Sequence, residues 1–246
     1  MTQPDVIADL EAEQDALEAL LSKLSPADWT SPSAAAGWTN ADVVLHLAQT
    51  EEAMAAAIEG GTPVDWRGYG PDVDAAMDAL VRAQPGPPGE IFERWRAGRR
   101  AALAALRAAD PGTPVPWVSA SLKPRTLATT RLAEHWAHAL DIAGPLGLDY
   151  PDTMRLRHVA WLGFSTLPYA FRLAGETPPA LFCDLTAPDG STWTFGDPAA
   201  ESSISGAAGA FCRVGAQRLA PADSGLETTG RYGETALRRL RNYAST

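Results

Sequence analysis

The apolar residues of the first 176 positions recur at the spacing of amphipathic helices, and this spacing is lost at Pro178-Pro179. Breaks rich in proline and glycine separate the helical segments, which we predict at residues 4–24, 40–58, 73–84, 90–109, 125–143 and 152–174. Beyond the two prolines, the patterns predict strands at 181–186, 192–195 and 225–231, and helices at 206–218 and 233–244. The sequence therefore predicts an α+β protein, with an all-helical domain at residues 1–176 and a small α/β module at residues 177–246.

The charge balance argues against a nucleic-acid-binding protein. The formal net charge is −10 and the pI is about 4.8, whereas neutralising several phosphates requires a basic face. The densest arginine stretches, at 94–100 and 238–241, lie in helical patterns beside acidic residues or alanines. We interpret them as solvated helix faces and expect a small-molecule substrate in place of a nucleic acid.

The sequence predicts neither export nor membrane insertion. The first ten residues include Asp5 and Asp9 and no apolar run, so they do not resemble a signal peptide. No segment approaches the roughly 20 uninterrupted apolar residues of a membrane span. The two cysteines, Cys183 and Cys212, form neither a disulfide framework nor a C-x-x-C motif. We expect a cytoplasmic protein, monomeric or homodimeric, that does not bind membranes.

The predicted helix at 125–143 carries an unusual polar stripe. At steps of three or four residues, one face of this helix holds Leu127, Arg131, Glu134, His138 and Asp141. Bulky apolar residues occupy the flanking faces, so we expect this stripe to face the interior of a bundle. Buried polar groups of this kind need partners, and a metal ion is one way to satisfy them.

The spacing of these residues suits a metal site. Glu134 and His138 are four residues apart, which places their Cβ atoms about 6 Å from each other and lets both side chains reach one ion. His46 is the only histidine in the first 130 residues and lies in an otherwise apolar helical segment. Two histidines and one carboxylate leave coordination positions open, as in catalytic metal sites.

Spacing alone leaves other interpretations open. His46 could be a hydrogen-bonded histidine of the core, and the Glu134–His138 pair could be an ordinary pair on an exposed helix. His135 could also replace His138 on geometry as the second ligand of the same helix.

Two motifs and a C-terminal segment give the chain a family resemblance. The first motif runs Asp28-Trp29 … Pro32-Ser33 … Gly37-Trp38-Thr39 … Asp42-Val43 … His46-Leu47, and the second is Arg131-x-x-Glu134-x-x-x-His138-x-x-Asp141. With residues 184–193, they resemble the DinB-like, mycothiol-dependent maleylpyruvate isomerase family in the same order and over nearly the whole chain. The chain is most similar to an actinobacterial subgroup described only as metal-binding. The resemblance implies an up-down-down-up four-helix bundle with extra helices, followed by a small SCP-like α/β module.

The resemblance also implies a ligand set and a cofactor. The implied ligands are His46, Glu134 and His138, and the implied metal is zinc, with nickel as the alternative. Relatives use this site to bind a small thiol, mycothiol, and to activate its sulfur. Coordination to a cation deprotonates a thiol and delivers it as a nucleophile, so the implied chemistry is physically sound.

Three further residues are candidates for catalytic roles. The family's isomerase relies on an arginine of the C-terminal module, and here we select Arg218, which closes the helix before the last predicted strand. Asp141 lies one turn beyond His138 and could accept the N–H of its ring. Arg131 could pair with Glu134 or with a substrate carboxylate.

Three functions are compatible with these residues. The first is an isomerase or S-transferase that uses a small thiol and acts on a small electrophile. The second is a metalloenzyme of specialised metabolism that needs no thiol and catalyses a cyclisation, isomerisation or hydrolysis. The third is a non-catalytic, metal-binding stress protein that uses the same bundle.

Overall fold

The computed structural model describes residues 5–61, 68–118 and 120–242 and confirms the predicted α+β class. The helices are α1 (Val6–Leu21), α2 (Pro26–Thr30), α3 (Asn40–Ile58), α4 (Val73–Ala83), α5 (Pro88–Ala108), α6 (Pro124–Leu146), α7 (Leu156–Leu173), α8 (Ala208–Gly215) and α9 (Gly233–Arg239). The strands are β1 (Val115–Trp117), β2 (Ala120–Leu122), β3 (Phe182–Thr186), β4 (Thr192–Gly196), β5 (Ser203–Ala207) and β6 (Glu227–Thr229). Residue 4 of the first predicted helix and residues 243 and 244 of the last lie outside the described residues.

Four helices, α1, α3, α5 and α6, pack together as a bundle. Its core includes leucines of α1, the apolar run of α3 from Val43 to Leu47, Trp95 of α5 and Ile142 of α6. The shorter helices α2 and α4 pack against α3. Among the described helices, none is both long enough and apolar enough to cross a lipid bilayer.

Local chemistry determines where α3 begins. Thr39 is its N-cap: the Thr39 hydroxyl accepts a hydrogen bond from the Asp42 amide at 3.2 Å, and the Asp42 carboxylate accepts one from the Thr39 amide at 2.9 Å. This capping box satisfies two amides that the first helical turn would otherwise leave unpaired.

The end of α6 is shaped by a proline. Pro145 has no N–H to donate to the carbonyl of Asp141, and that carbonyl accepts the Ala34 amide at 2.9 Å. The helix ends at Leu146 and is capped by Gly147, whose φ of +64° suits a residue without a Cβ. As a result, the segment that leads into α3 is fixed to α6 by a backbone hydrogen bond.

Two short elements of this region differ from the prediction. Residues 26–30 form the single turn α2, capped by Ser25 and Asp28, where we predicted no helix. Between α5 and α6, β1 and β2 pair in an antiparallel hairpin, with Val115 opposite Leu122. Elements of three to five residues are too short to show a hydrophobic period, which explains why the sequence pattern missed both.

The described residues form two compact units, one that ends at Tyr150 and one that begins at Pro151. The second unit contains α7 and a sheet of order β4-β3-β5-β6, in which β3 is antiparallel to β4 and parallel to β5, and β6 is antiparallel to β5. Cys183, Trp193, Ile204 and Phe211 are buried in it. The predicted helix at 206–218 is wrong at its start, because residues 203–207 are strand β5 and α8 begins at Ala208.

Helix α7 belongs to the second compact unit, where it packs on α8, α9 and β4. We had grouped its residues with the bundle because they continue the helical pattern. A compact unit in the folded chain need not be a segment that folds by itself. The domain division at residue 176 therefore stays a prediction.

Candidate metal centre

The structure brings His46, Glu134 and His138 together. Each side chain offers one ligand atom, and these atoms all lie within 4.8 Å of one another. His46 comes from α3, and the other two come from successive turns of α6. We call these three residues the ligand cluster.

The spacing within the ligand cluster fits a metal ion better than a hydrogen bond. An oxygen of Glu134, Oε2, lies 3.6 Å from Nε2 of His46 and 3.5 Å from Nε2 of His138. Both distances exceed those of good N–H···O hydrogen bonds. A tetrahedral zinc ion with ligands at about 2.0–2.2 Å would hold its ligand atoms roughly 3.4 Å apart. The residues present therefore fit a divalent cation in both chemistry and spacing.

One side of the ligand cluster is open. The side chain of Glu134 is 29% exposed, whereas those of His46 and His138 are 7% and 11% exposed. An ion held by these three groups would therefore have solvent access on the side of the carboxylate. That arrangement is typical of catalytic sites and differs from closed structural zinc sites.

Asp141 fixes the orientation of the His138 ring. Its Oδ2 lies 2.9 Å from Nδ1 of His138, and the carboxylate is buried. A carboxylate at this position accepts the Nδ1 proton, which turns Nε2 toward Glu134. The contact that we expected between Asp141 and His138 is therefore present in the structure.

The two histidines of the ligand cluster differ in their electrostatics. Burial lowers the pKa of His46 to about 4, more than the neighbouring Glu134 raises it, so this ring is neutral near pH 7. Burial also disfavours charge on His138, but its contacts with Asp141 and Glu134 outweigh that effect and raise its pKa. Burial would raise the pKa of Glu134, yet the two histidines hold it well below its usual range. The carboxylate is thus ionised and ready to bind a cation.

Trp38 covers the imidazoles of the ligand cluster. The centroid of its ring is 5.2 Å from that of His46 and 6.4 Å from that of His138, and the latter pair is stacked. The indole N–H donates to Asp78 of α4 at 2.9 Å. We had not assigned Trp38 to the site; its position directly before the N-cap of the helix that carries His46 was the signal available in the sequence.

His135 is not part of the ligand cluster. Its Nε2 lies 3.2 Å from the indole N–H of Trp95, and its Nδ1 lies 2.8 Å from the carbonyl of Arg131. An indole can only donate, so Nε2 accepts and Nδ1 carries the proton that the carbonyl receives. Both ring nitrogens are therefore engaged, and of the two histidines that we considered on α6 the structure places His138 beside Glu134.

Arg131 is buried and bonded across the bundle. Its Nε donates to Oε1 of Glu51 at 2.8 Å, and its Nη2 donates to the hydroxyl of Thr50 at 2.7 Å. The Arg131 and Glu51 side chains are 3% and 0% exposed. We had suggested Glu134 or a substrate as partners and had missed Glu51, although an acidic residue in the mostly buried α3 was a visible signal.

Arg218, the remaining candidate, lies in the second compact unit directly after α8, where it donates to the carbonyl of Ala216 at 2.7 Å. Its catalytic role stays a prediction. Both cysteines of that unit are buried, and burial raises the pKa of Cys183 to about 12 and that of Cys212 as well. Neither cysteine is therefore a ready nucleophile.

Comparisons with known proteins identify the family of this chain. Residues 10–143 match the family model described as the mycothiol maleylpyruvate isomerase N-terminal domain, a range that includes the whole ligand cluster. Over 224 residues the chain is 35% identical to an uncharacterized protein of Mycobacterium tuberculosis, found in strains CDC 1551 and H37Rv, with 87% of this chain and 85% of the relative covered.

Two solved structures are similar in fold. They are crystal structures of the mycothiol-dependent maleylpyruvate isomerase and of a mutant of it, and both align with a TM-score of 0.62. The sequence identities are 17% and 15%, and 91% of each chain is covered. Identities this low carry information about the fold alone.

Proposed function

The chain belongs to the family of the mycothiol maleylpyruvate isomerase N-terminal domain, and from this premise we propose that it is a divalent-metal-dependent enzyme that uses a small thiol. We propose further that it acts as an isomerase or S-transferase on a small electrophilic substrate. The observation that carries the proposal is the convergence of two imidazole nitrogens and one carboxylate oxygen within 4.8 Å.

In this proposal His46, Glu134 and His138 hold the cation. Nitrogen and oxygen donors of this kind suit zinc, and nickel shares the preference for imidazole. When bound, a divalent ion supplies the positive charge that favours a thiolate over a thiol at an open coordination position. The partial exposure of Glu134 provides the access that a thiol needs.

The chain's own residues prepare the site. Asp141 holds the His138 ring in one orientation, with Nε2 on the side of Glu134. Burial keeps the His46 ring neutral, which is the form in which an imidazole binds a metal. Trp38 covers one face of both rings and keeps water from that side. Together these contacts leave the Glu134 side as the approach for thiol and substrate.

The test is thiol binding to the cobalt-reconstituted protein. Sulfur coordination should add a charge-transfer band in the near ultraviolet when mycothiol is titrated in, and the band should be absent in His46→Ala. Maleylpyruvate, the substrate named for the structural relatives, is the first substrate to assay with mycothiol present.

His158→Ala is a matched control, since His158 lies outside the ligand cluster. This variant should keep the band. Saturating mycothiol that gives neither the band nor any thermal stabilisation would contradict the thiol mechanism. If turnover of some substrate still required the metal, a metalloenzyme without a thiol would then be the better proposal. If no substrate were turned over, a metal-binding stress protein would be the better proposal.

A further inference from the structure

A buried set of polar side chains lies next to the ligand cluster and draws on all four helices of the bundle. We call it the core network: Gln14 of α1, Thr50 and Glu51 of α3, Trp95 of α5, and Arg131 and His135 of α6. Every one of these side chains is buried. The proposed function gives this set no role.

The bonds of the core network run between helices. Glu51 accepts from Arg131 at 2.8 Å through one oxygen and from Gln14 at 3.3 Å through the other. The indole of Trp95 donates to His135 at 3.2 Å, and His135 in turn donates to the backbone carbonyl of Arg131. Arg131 thus bonds α3 directly and is connected to α1 through Glu51 and to α5 through His135.

The core network is one helical turn away from each metal ligand. Thr50, which accepts from Arg131, donates its own hydroxyl proton to the carbonyl of His46 at 2.9 Å or to that of Leu47 at 3.1 Å. On α6, Arg131 precedes Glu134 by three residues. The guanidinium therefore links the turn of α3 that carries His46 to the turn of α6 that carries Glu134.

The packing at this level is tight. A Cβ added to Gly98 of α5 would lie 3.4 Å from both the carbonyl of Ala48 and the Cβ of Glu51. Glycine at this position therefore lets α5 approach α3 closely beside Glu51. The bonds of the core network are buried, in contrast to the exposed ion pairs elsewhere on the bundle.

Stability alone is a poor explanation for the buried ion pair of Arg131 and Glu51. Removing two charges from water is costly, and apolar residues of similar volume often stabilise a fold equally well or better. Two directed bonds from one guanidinium, to Glu51 and to Thr50, give what apolar packing lacks, a single favoured register between two helices.

We propose that Arg131 is a positioning residue: with Glu51 and Thr50 it sets the register of α3 on α6 and so the distance between His46 and the Glu134–His138 pair. This inference rests on the proposed metal site. It makes Arg131 act through the ligands and not by contact with substrate. The metal-binding geometry, and not the fold, should depend on the pair.

The experiment replaces the pair by apolar side chains of similar length, Arg131→Met with Glu51→Met. Zinc affinity is measured by chelator competition, and ligand geometry by the visible absorption of the cobalt-loaded protein. We expect zinc affinity to fall by about 10–100-fold, the size of effect seen when the support of a ligand is removed. The cobalt spectrum should change as well, while the helical content of the metal-free protein is retained.

Arg94→Met with Glu52→Met is the matched control. Arg94 bonds Glu52 through two contacts of 2.7 Å and joins α3 to α5 instead of α6. Its loss should leave zinc affinity and the cobalt spectrum as in wild type. An equal loss of affinity in the control would overturn the proposal, since any weakening of the bundle would then suffice.

A second variant covers the case in which the double replacement does not fold. Arg131→Lys keeps the charge but cannot reach Glu51 and Thr50 together with a planar fork. A positioning role predicts weaker zinc binding in this variant too, whereas a role of charge alone predicts wild-type zinc affinity. Wild-type affinity and spectrum in Arg131→Lys would overturn the proposal, while a wild-type protein that binds no metal would remove the proposed function itself.

Discussion

The ligand cluster and the core network are neighbouring buried polar sites that differ in how their atoms are paired. In the core network, donors and acceptors meet at 2.7–3.3 Å, and only Oε1 of Gln14 lacks a partner among the described residues. In the ligand cluster the carboxylate oxygen stands 3.5 and 3.6 Å from the two nitrogens. Nearly complete pairing indicates a structural role, and spacing slightly too wide for hydrogen bonds indicates room for an ion.

Of the changes considered, removal of a metal ligand should have the largest effect, the loss of bound zinc. Wild-type protein should retain about one zinc ion per chain after dialysis, and His46→Ala or His138→Ala should retain almost none. The bundle should remain folded, because a core of this size does not require a metal. Elemental analysis with circular dichroism measures both outcomes, and equal metal in wild type and variants would contradict the assignment.

Breaking the core network from one side should cost stability instead. Glu51→Leu leaves the Arg131 charge buried and without its carboxylate, which should lower the free energy of unfolding by about 3–5 kcal/mol. Urea unfolding of the metal-free protein gives this number. A loss of less than about 1 kcal/mol would place Glu51 with the exposed ion pairs, whose contribution is small.

The support of a ligand should matter less than the ligand itself. Asp141→Ala removes the acceptor of the His138 ring proton and should weaken zinc binding by about 10–100-fold without abolishing it. Asp141→Asn keeps an acceptor but no charge, so its loss should be smaller. If chelator competition gives wild-type affinity for both variants, the ring of His138 is oriented without Asp141.

The aromatic cover should give the smallest effect. Trp38→Phe keeps a smaller ring beside the two imidazoles and removes the hydrogen bond to Asp78, worth about 0.5–1.5 kcal/mol. Thermal unfolding should register this change while the zinc content stays at the wild-type level. Loss of zinc in Trp38→Phe would mean that the indole N–H fixes the site more firmly than the ring contacts suggest.

The sequence sufficed to predict the face of α6 that turns inward, because helical periodicity is a local property. Arg131, His138 and Asp141 were placed on one stripe by spacing alone, and all three are buried. Periodicity does not say which residue of another helix meets that stripe. Glu51 was therefore missed as the partner of Arg131, although it lies five residues from His46 on the same helix.

The choice between His135 and His138 could not be made from spacing either. Both rings lie on the inward side of α6, and both are buried. Only their surroundings in the structure distinguish them, because His135 is bonded to Trp95 and His138 lies beside Glu134. The packing partners of α7 could not be predicted from the sequence either. Its apolar face fits a bundle as well as it fits the helices and strands of the second unit.

The bond between Ala34 and the Asp141 carbonyl has a consequence for how opening of the site can be followed. Because Pro145 leaves that carbonyl to a distant amide, the Ala34 proton is held by α6, although it belongs to an exposed residue in the segment before α3. In heavy water this proton should exchange slowly while its exposed neighbour Ala36 exchanges quickly. Its exchange rate would report, at a single amide, each separation of the α3 entry segment from the helix that carries Glu134 and His138.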